Sequence, residues 1–280
     1  MQKIGFSLPG SFSKPMPEAI RLLKDVGFDA ISPLWQRDRD LKQTADAAAG
    51  CGLTMQSLHA PFRGLPGMWS CEEENCAAIL QDHLRAAEEC AEYDIPVLVV
   101  HSWGGIHYTF RESELYFGNF DALVDCAYRK GIKIAFENLE GPEFLEALLK
   151  RYNDPERIGF CWDSGHERCY TPGIDYLKQY GHRLMVTHLN DNYGITTPDG
   201  SLLGTDDLHL LPFDGIEDWP QTMERLMQAK KQEILNFELK IRPKGDRCTT
   251  DLYSAIPLEQ YIAMAYARAS RAVSGYFEEK

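Results

Sequence analysis

The chain has 280 residues, 44% of them hydrophobic, and a formal net charge of −13. This length and apolar content suffice for one large domain with a buried core, and no apolar run approaches the roughly 18 residues that a membrane-spanning helix needs. The acidic charge argues against nucleic acid as a partner, because proteins bind DNA largely by placing lysine and arginine against its phosphates.

The amino terminus and the cysteines predict the cellular compartment. Residues 1–7 enter a strand pattern directly and lack the apolar core of a signal peptide. The cysteines form no C-x-x-C pair, so we expect reduced thiols rather than a disulfide or a cysteine-bound zinc ion. These features predict a cytoplasmic protein. The eight cysteines are Cys51, Cys71, Cys76, Cys90, Cys126, Cys161, Cys169 and Cys248.

Short apolar runs, which predict strands, alternate with longer amphipathic runs, which predict helices. Glycines such as Gly27, Gly52 and Gly131 follow predicted helices and end them. An irregular stretch at residues 190–215 follows the seventh strand, and loops of this length are usually functional. In chain order, each strand and the helix after it are predicted at residues 3–8 and 16–26, 28–34 and 40–51, 54–60 and 73–93, 96–102 and 112–129, 133–138 and 142–152, 158–163 and 173–180, 184–189 and 218–230, and 233–239 and 258–274.

The strict alternation predicts parallel strands joined by right-handed crossovers. Eight strand–helix units close into a (β/α)8 or TIM barrel, so we predict an α/β protein with a single domain over residues 1–280. The alternative is an open doubly wound sheet. That fold needs a glycine-rich phosphate loop after its first strand, where this chain has only Gly10.

The last four predicted strands each end in a side chain that can bind a metal. The carboxyl ends of parallel barrel strands converge on one face, so these side chains can reach one point. Three carboxylates and one imidazole make an oxygen-rich site for manganese, magnesium, cobalt or iron, and zinc also fits. Either glutamate alone could instead form a salt bridge inside the barrel, but their common height favours a metal site. The four residues are Glu137, Asp163, His188 and Glu238.

Other polar and aromatic residues near the strand ends are candidates to line a pocket. His59 and His101 end the third and fourth strands, and Trp103 follows the fourth. His166 follows Asp163 in a predicted turn. Lys240 has the same strand parity as Glu238, so it either points inward to meet a phosphate or carboxylate or lies in solvent.

Taken in order, these motifs resemble the xylose isomerase-like barrel superfamily. It includes sugar phosphate isomerases and epimerases, inosose dehydratases and the endonuclease IV family of abasic-site nucleases. The resemblance runs from Ile4 to the last helix. It rests on His59, Glu137-Asn138, Asp163-x-x-His166, His188-Leu-Asn-Asp191, His209 followed by Pro212 and Gly215, and Glu238.

The resemblance implies a metal-dependent isomerase or epimerase that acts on a sugar or sugar phosphate through an enediolate. In such epimerases the residues matching Glu137, Asp163, His188 and Glu238 hold one divalent metal, for which manganese is our expectation. The two glutamates also act as acid and base. His166 would contact a sugar oxygen and complete the catalytic set. The predicted substrate-binding residues are His59, His101, Trp103, His166, His209 and Lys240.

Three alternatives remain open at this point. The same metal and base could serve a dehydratase, or a lyase that cleaves 3-keto-glycosides. The nuclease branch uses additional metals, for which His59, His101, Asp207 and His209 are candidate ligands; Asp207 and His209 could equally close over a substrate or hold their loop. A non-catalytic barrel that binds a sugar or a partner chain is the third. We expect a small sugar or polyol as substrate, no nucleic acid or membrane partner, and leave a homo-oligomer or a partner subunit open.

Overall fold

The computed structural model describes residues 2–10, 12–70, 76–242 and 251–277. Cys71, Cys248 and the predicted start of the third helix at residue 73 lie outside the described residues. The six described cysteines are free thiols. Within the described ranges, no helix is both long and apolar enough to cross a membrane.

Parallel strands form the centre of the molecule, as the alternating pattern predicts. The third barrel position holds two short pieces, β3 and β4, where a single strand was predicted at residues 54–60. At the break between them, Gln56 Nε2 donates to Ile234 O at 3.2 Å, and the Ser57 and Ser32 hydroxyls lie 2.9 Å apart. The strands are β1 (Lys3–Leu8), β2 (Ala30–Pro33), β3 (Thr54–Met55), β4 (Leu58–His59), β5 (Val97–His101), β6 (Lys133–Glu137), β7 (Ile158–Asp163), β8 (Leu184–His188) and β9 (Ile234–Phe237).

The barrel consists of two parallel sheets that meet at two seams. One sheet has the order β3-β2-β1-β9 and the other runs from β4 to β8 in sequence. Single bridges join them, between Leu34 and His59 at one seam and between Leu189 and Phe237 at the other. The predicted TIM barrel is therefore confirmed, and its closure depends on these two narrow seams.

The helices cover the outside of the barrel, and one of them was not predicted. Helix α6 begins directly after Asp163, whose carboxylate accepts a hydrogen bond from His166 N at 2.8 Å. The expectation that His166 lies in a turn is wrong, because this cap starts a helix there. The helices are α1 (Met16–Val26), α2 (Leu41–Cys51), α3 (Cys76–Glu92), α4 (Gly118–Lys130), α5 (Pro142–Arg151), α6 (Ser164–Tyr170), α7 (Tyr176–Tyr180), α8 (Trp219–Met227) and α9 (Leu258–Val273).

Small apolar side chains fill the barrel interior beneath the strand ends. Val99, Ala135, Cys161 and Val186 are wholly buried and pack together. Each lies two residues before a histidine or carboxylate at a strand end, so it shares the inward face of its strand. These residues form a closely packed apolar layer, which we call the barrel floor, and the polar side chains at the strand ends lie directly above it.

The irregular segment at residues 190–215 is confirmed, and Asp191 organises it. Its carboxylate accepts hydrogen bonds from Phe213 N and Glu217 N, each at 3.0 Å, and from Trp219 Nε1 at 3.3 Å. A Cβ at Gly215 would lie 2.1 Å from Asp191 Oδ1, so only glycine fits there. One buried carboxylate therefore folds the loop back onto the barrel.

Candidate metal centre

Glu137 lies at the centre of the polar cluster above the barrel floor. The residue is wholly buried, and each of its carboxylate oxygens faces two imidazoles. Oε1 lies 3.1 Å from His188 Nδ1 and 3.4 Å from His166 Nδ1. Oε2 lies 3.3 Å from His59 Nε2 and 3.5 Å from His101 Nε2. The ends of β4, β5, β6 and β8 and the start of α6 thus direct their side chains to one carboxylate.

The four predicted metal ligands come together around His188. Its Nδ1 lies 3.0 Å from Glu238 Oε2 as well as 3.1 Å from Glu137 Oε1. One donor atom from each of Glu137, Asp163, His188 and Glu238 falls within 4.8 Å of the others. Glu238 has the only side chain of the four that is appreciably exposed, at 20%, and it faces the cleft.

Two asparagines fix Asp163, and sequence reasoning missed their role. Asn138 accepts from Asp163 N at 2.8 Å and donates to Asp163 O at 2.9 Å. Asn190 Nδ2 donates to both carboxylate oxygens of Asp163, at 3.1 and 3.2 Å. Each asparagine lies one or two positions after a predicted ligand, Glu137 or His188, which is the signal that could have revealed it. Such supporting hydrogen bonds orient metal ligands.

The two glutamates are anionic in spite of their burial. Burial opposes ionisation of Glu137, but His188 and His101 hold its pKa well below the usual range. Burial also opposes ionisation of Glu238, but the nearby His209 and His188 have the larger effect and hold the pKa of that carboxyl well below the usual range. The cluster therefore presents negative charge that a positive charge must balance.

In the protein alone, His188 supplies that positive charge as a proton. Burial opposes protonation of His188, but the carboxylates of Glu137 and Glu238 beside its Nδ1 hold its pKa well above the usual value. This proton lies between the carboxylates of Glu137 and Glu238, and a metal cation at the same place would neutralise their negative charge in the same way. Buried carboxylates and an imidazole nitrogen within one coordination sphere fit a divalent ion.

Two further groups of potential ligands adjoin the first. His59 Nε2 lies 3.0 Å from His101 Nε2, and with Glu137 these residues form a set of three donors. Asp207 Oδ2 lies 2.9 Å from His209 Nε2 and 3.6 Å from His166 Nε2, which makes another set of three. All the additional ligands predicted from the sequence are thus in contact with the central cluster.

The cluster opens into a cleft formed by two cavities of about 330 and 470 Å³. Both cavities are lined by His59, Phe62, Glu238 and Lys240, so of the two positions left open for Lys240 the structure shows the one at the cleft. The residues of the smaller cavity that were not singled out from the sequence include Glu140 and Tyr170. Glu140 lies three positions after Glu137, on the loop that leaves the same strand.

Trp103 lies apart from the described lining of either cavity. Its ring stacks on Phe144 with 4.0 Å between centroids and 9° between planes, and its Nε1 donates to Gly105 O at 2.8 Å. In this arrangement the indole packs against helix α5 and supports the loop after β5. The predicted contact between Trp103 and a substrate remains a prediction.

The family model for the xylose isomerase-like TIM barrel matches residues 20–256. The chain belongs to this family. Its resemblance to the family, inferred from the strand-end motifs, is therefore confirmed.

Two protein relatives differ in how much of the chain they match. An uncharacterized protein of Sinorhizobium fredii, y4fM, is 31% identical over 169 residues, which cover 55% of this chain and 50% of that protein. The match thus spans about half the length of that relative. The probable endonuclease 4 of Methanosphaerula palustris is 24% identical over 220 residues, covering 70% of this chain and 73% of that protein.

Several solved structures share the barrel. The IolI protein, whose structure contains a bound zinc atom, is 20% identical with a TM-score of 0.76, covering 99% of this chain and 100% of that one. L-ribulose 3-epimerase is 13% identical with a TM-score of 0.74, covering 99% and 96%. The 3-keto-D-glucoside 4-epimerase YcjR of E. coli is 18% identical with a TM-score of 0.67, covering 96% and 100%. At these identities the likeness concerns the fold.

Proposed function

We propose that the protein is a divalent-metal-dependent isomerase or epimerase that moves a proton next to the carbonyl group of a sugar. The observation that supports this most is the convergence of two glutamates on one imidazole. The carboxylates of Glu137 and Glu238 both contact His188 Nδ1, and Glu238 also lines the cleft. Two carboxylates thus lie beside the candidate cation site, and one of them lines the cleft in which a substrate would bind.

The donor set fits a divalent ion, which Glu137, Asp163, His188 and Glu238 would hold. When bound, such an ion polarises a carbonyl and stabilises the negative charge of an enediolate. Manganese remains our expectation for its identity. The solved IolI structure with its zinc atom keeps zinc as the other choice.

Glu238 is positioned to remove the proton. Its carboxylate is ionised and faces both cavities, as a general base requires. Glu137 is wholly buried and anionic, so the proton that returns to the substrate needs another donor that reaches the cleft. His166 lines the cleft beside Glu137. Burial opposes its protonation, but Asp163 and Asp207 hold its pKa well above the usual value, so we assign it the role of that donor, with Glu137 stabilising the imidazolium.

The first test combines metal content with proton exchange. We expect one divalent ion per chain, and exchange of deuterium from solvent into keto sugars, detected by NMR or mass spectrometry. Glu238→Gln should lose the metal and the exchange, because it removes one anionic ligand and the base. Glu143→Gln, a carboxylate that contacts Tyr108 outside the cluster, should keep both. Exchange that persists in Glu238→Gln would contradict the proposal.

A dehydratase or lyase would begin with the same proton removal. Product analysis separates these reactions, because loss of water or of a leaving group changes the mass of the sugar. We expect an isomeric product of unchanged mass.

A zinc-dependent phosphodiesterase is the second candidate. It is favoured by the two additional donor sets and by the match to a probable endonuclease 4. It predicts two or three zinc ions per chain and hydrolysis of bis(4-nitrophenyl) phosphate. The net charge of −13 argues against a DNA substrate, and among the described residues that line the two cavities the only lysine and arginine are Lys240 and Arg242.

A further inference from the structure

The two cavities of the cleft differ in chemistry. We propose that they hold two different parts of one substrate, an uncharged sugar in the smaller cavity and an apolar aglycone in the larger. The substrate class is then a glycoside rather than a free sugar or a sugar phosphate. This inference rests on the proposed function for the position of the sugar.

The smaller cavity, of about 330 Å³, suits hydroxyl groups and disfavours anions. Besides its histidines, its lining includes three carboxylates, Glu140, Asp207 and Glu238, against one lysine, Lys240. Glu140 is 6% exposed, and the backbone N–H of Gly105 fixes its Oε1. Its Oε2 accepts no hydrogen bond from the described residues, which leaves a carboxylate oxygen for a sugar hydroxyl. A phosphate or a carboxylate at this end would face like charges.

The larger cavity, of about 470 Å³, has mainly apolar walls. A cavity of this size lies within the range of about 300–1,000 Å³ that holds drug-sized ligands. Its volume is therefore much larger than one edge of a monosaccharide ring would fill. Ser7, Ser32 and two cations add hydrogen-bond donors, so a ring with oxygen substituents fits better than a plain alkyl chain. The apolar residues of the lining are Leu8, Pro9, Leu34, Phe62, Leu239 and Ile241.

Phe62 joins the two cavities and presents an aromatic face. Its side chain is 43% exposed although it lies in a cleft, and its ring stacks on His101 with 5.4 Å between centroids. The imidazole holds the ring in place, so one side remains for a ligand. Stacking an aromatic aglycone there removes apolar surface from water, which favours binding by about 25 cal/mol per Å².

Glu238 and His59 line both cavities, so the bond between sugar and aglycone would lie beside the candidate metal centre. A substrate that spans both cavities thus places its reacting carbons near the glutamate that acts as base. A free monosaccharide would occupy only the smaller, polar cavity and leave the larger, apolar one unfilled.

Binding of two uncharged probes to the metal-loaded full chain tests the inference. Methyl β-D-glucopyranoside carries the sugar alone, and phenyl β-D-glucopyranoside adds an aromatic ring. We expect calorimetry to give about tenfold tighter binding of the phenyl compound. Leu34→Trp should fill the larger cavity and abolish this preference, while the affinity for the methyl compound stays unchanged. Ile216→Trp, at a residue that is 56% exposed outside both linings, is the matched control and should keep the preference.

Equal affinity for the two probes would overturn the inference, as would a preference that persists in Leu34→Trp, or no binding of either probe. The proposed reaction fails separately. If no keto sugar exchanges its proton but the phenyl preference appears and depends on Leu34, the two-part cleft stands without the isomerase. If exchange occurs without the preference, the isomerase stands without the aglycone.

Discussion

Asn190 illustrates how a residue that is not itself a candidate ligand can orient a candidate metal site. Its amide donates to both oxygens of Asp163, which would otherwise repel the neighbouring carboxylates Glu137 and Glu238. Burial and these like charges raise the pKa of Asp163. The amide therefore keeps Asp163 oriented and favours its ionised form.

Asn190→Ala is expected to weaken metal binding by about 10–100-fold, since it removes the hydrogen bonds that orient a ligand. Competition with a fluorescent chelator measures the affinity. The control is Asn192→Ala, because the side chain of Asn192 bonds to two backbone groups, Gly165 O and Gly194 N, and to no candidate ligand. Equal losses in the two variants would mean that the loop, and not Asp163, is responsible.

His83 predicts a specific pH dependence of stability. It is wholly buried in α3, and burial lowers its pKa to about 4. The unfolded chain binds a proton at an ordinary pKa near 6.5, so between about 6.5 and 4 it binds more protons than the folded state does. The contribution of neutral His83 to stability is therefore present above pH 6.5 and is lost as the pH falls towards 4.

His83→Leu should remove this dependence. We expect the difference in unfolding free energy between wild type and variant to shift by about 2 kcal/mol in favour of the variant between pH 7 and pH 5. Urea unfolding at the two pH values measures it. A constant difference across this range would show that His83 has the same pKa in the folded protein as in the unfolded chain.

At the level of elements, strand β7 and helix α6 meet at Asp163, which both caps the helix and belongs to the metal-ligand set. Asparagine can cap a helix equally well but lacks the charge. Asp163→Asn should therefore keep the helix cap and lose metal binding. Asp163→Ala should lose metal binding and about 1 kcal/mol of stability as well. Thermal unfolding in chelator and metal titration separate the two effects.

The sequence predicted the strands and the positions of the four candidate metal ligands well because one periodic rule governs both. Strands β1 and β7 have the predicted bounds, and the four ligands lie where the strand-end argument expected them. Helix α6 was not predicted, because seven residues are too few to show a helical period. Its capping residue, Asp163, was interpreted only as a metal ligand. The stacking of Trp103 on Phe144 depends on how two loops meet, which local patterns do not encode.

For the whole molecule, bound metal should raise thermal stability, because it binds only the folded protein and neutralises buried carboxylates. At a hundredfold excess over Kd the gain is about 2.7 kcal/mol, which corresponds to several degrees in Tm. The gain should grow as the pH rises, since metal must displace the proton from His188, whose pKa is well above the usual value. Calorimetric scans with metal and with chelator, at pH 6 and pH 8, measure this. A shift that is larger at pH 6 would contradict it.

The two seams of the barrel have a mechanical consequence. Glu137, Asp163 and His188 belong to the five-stranded sheet, whereas Glu238 follows β9 of the four-stranded sheet, across the seam at Leu189. A cation held by all four would act as a clasp across that seam. Without the cation, only protein contacts join the two sheets at this seam. With the cation bound, the sheets can separate there only if a bond between the cation and one of its ligands breaks. Release of the ion and separation of the sheets are then one motion, so the ion should leave no faster than the barrel opens.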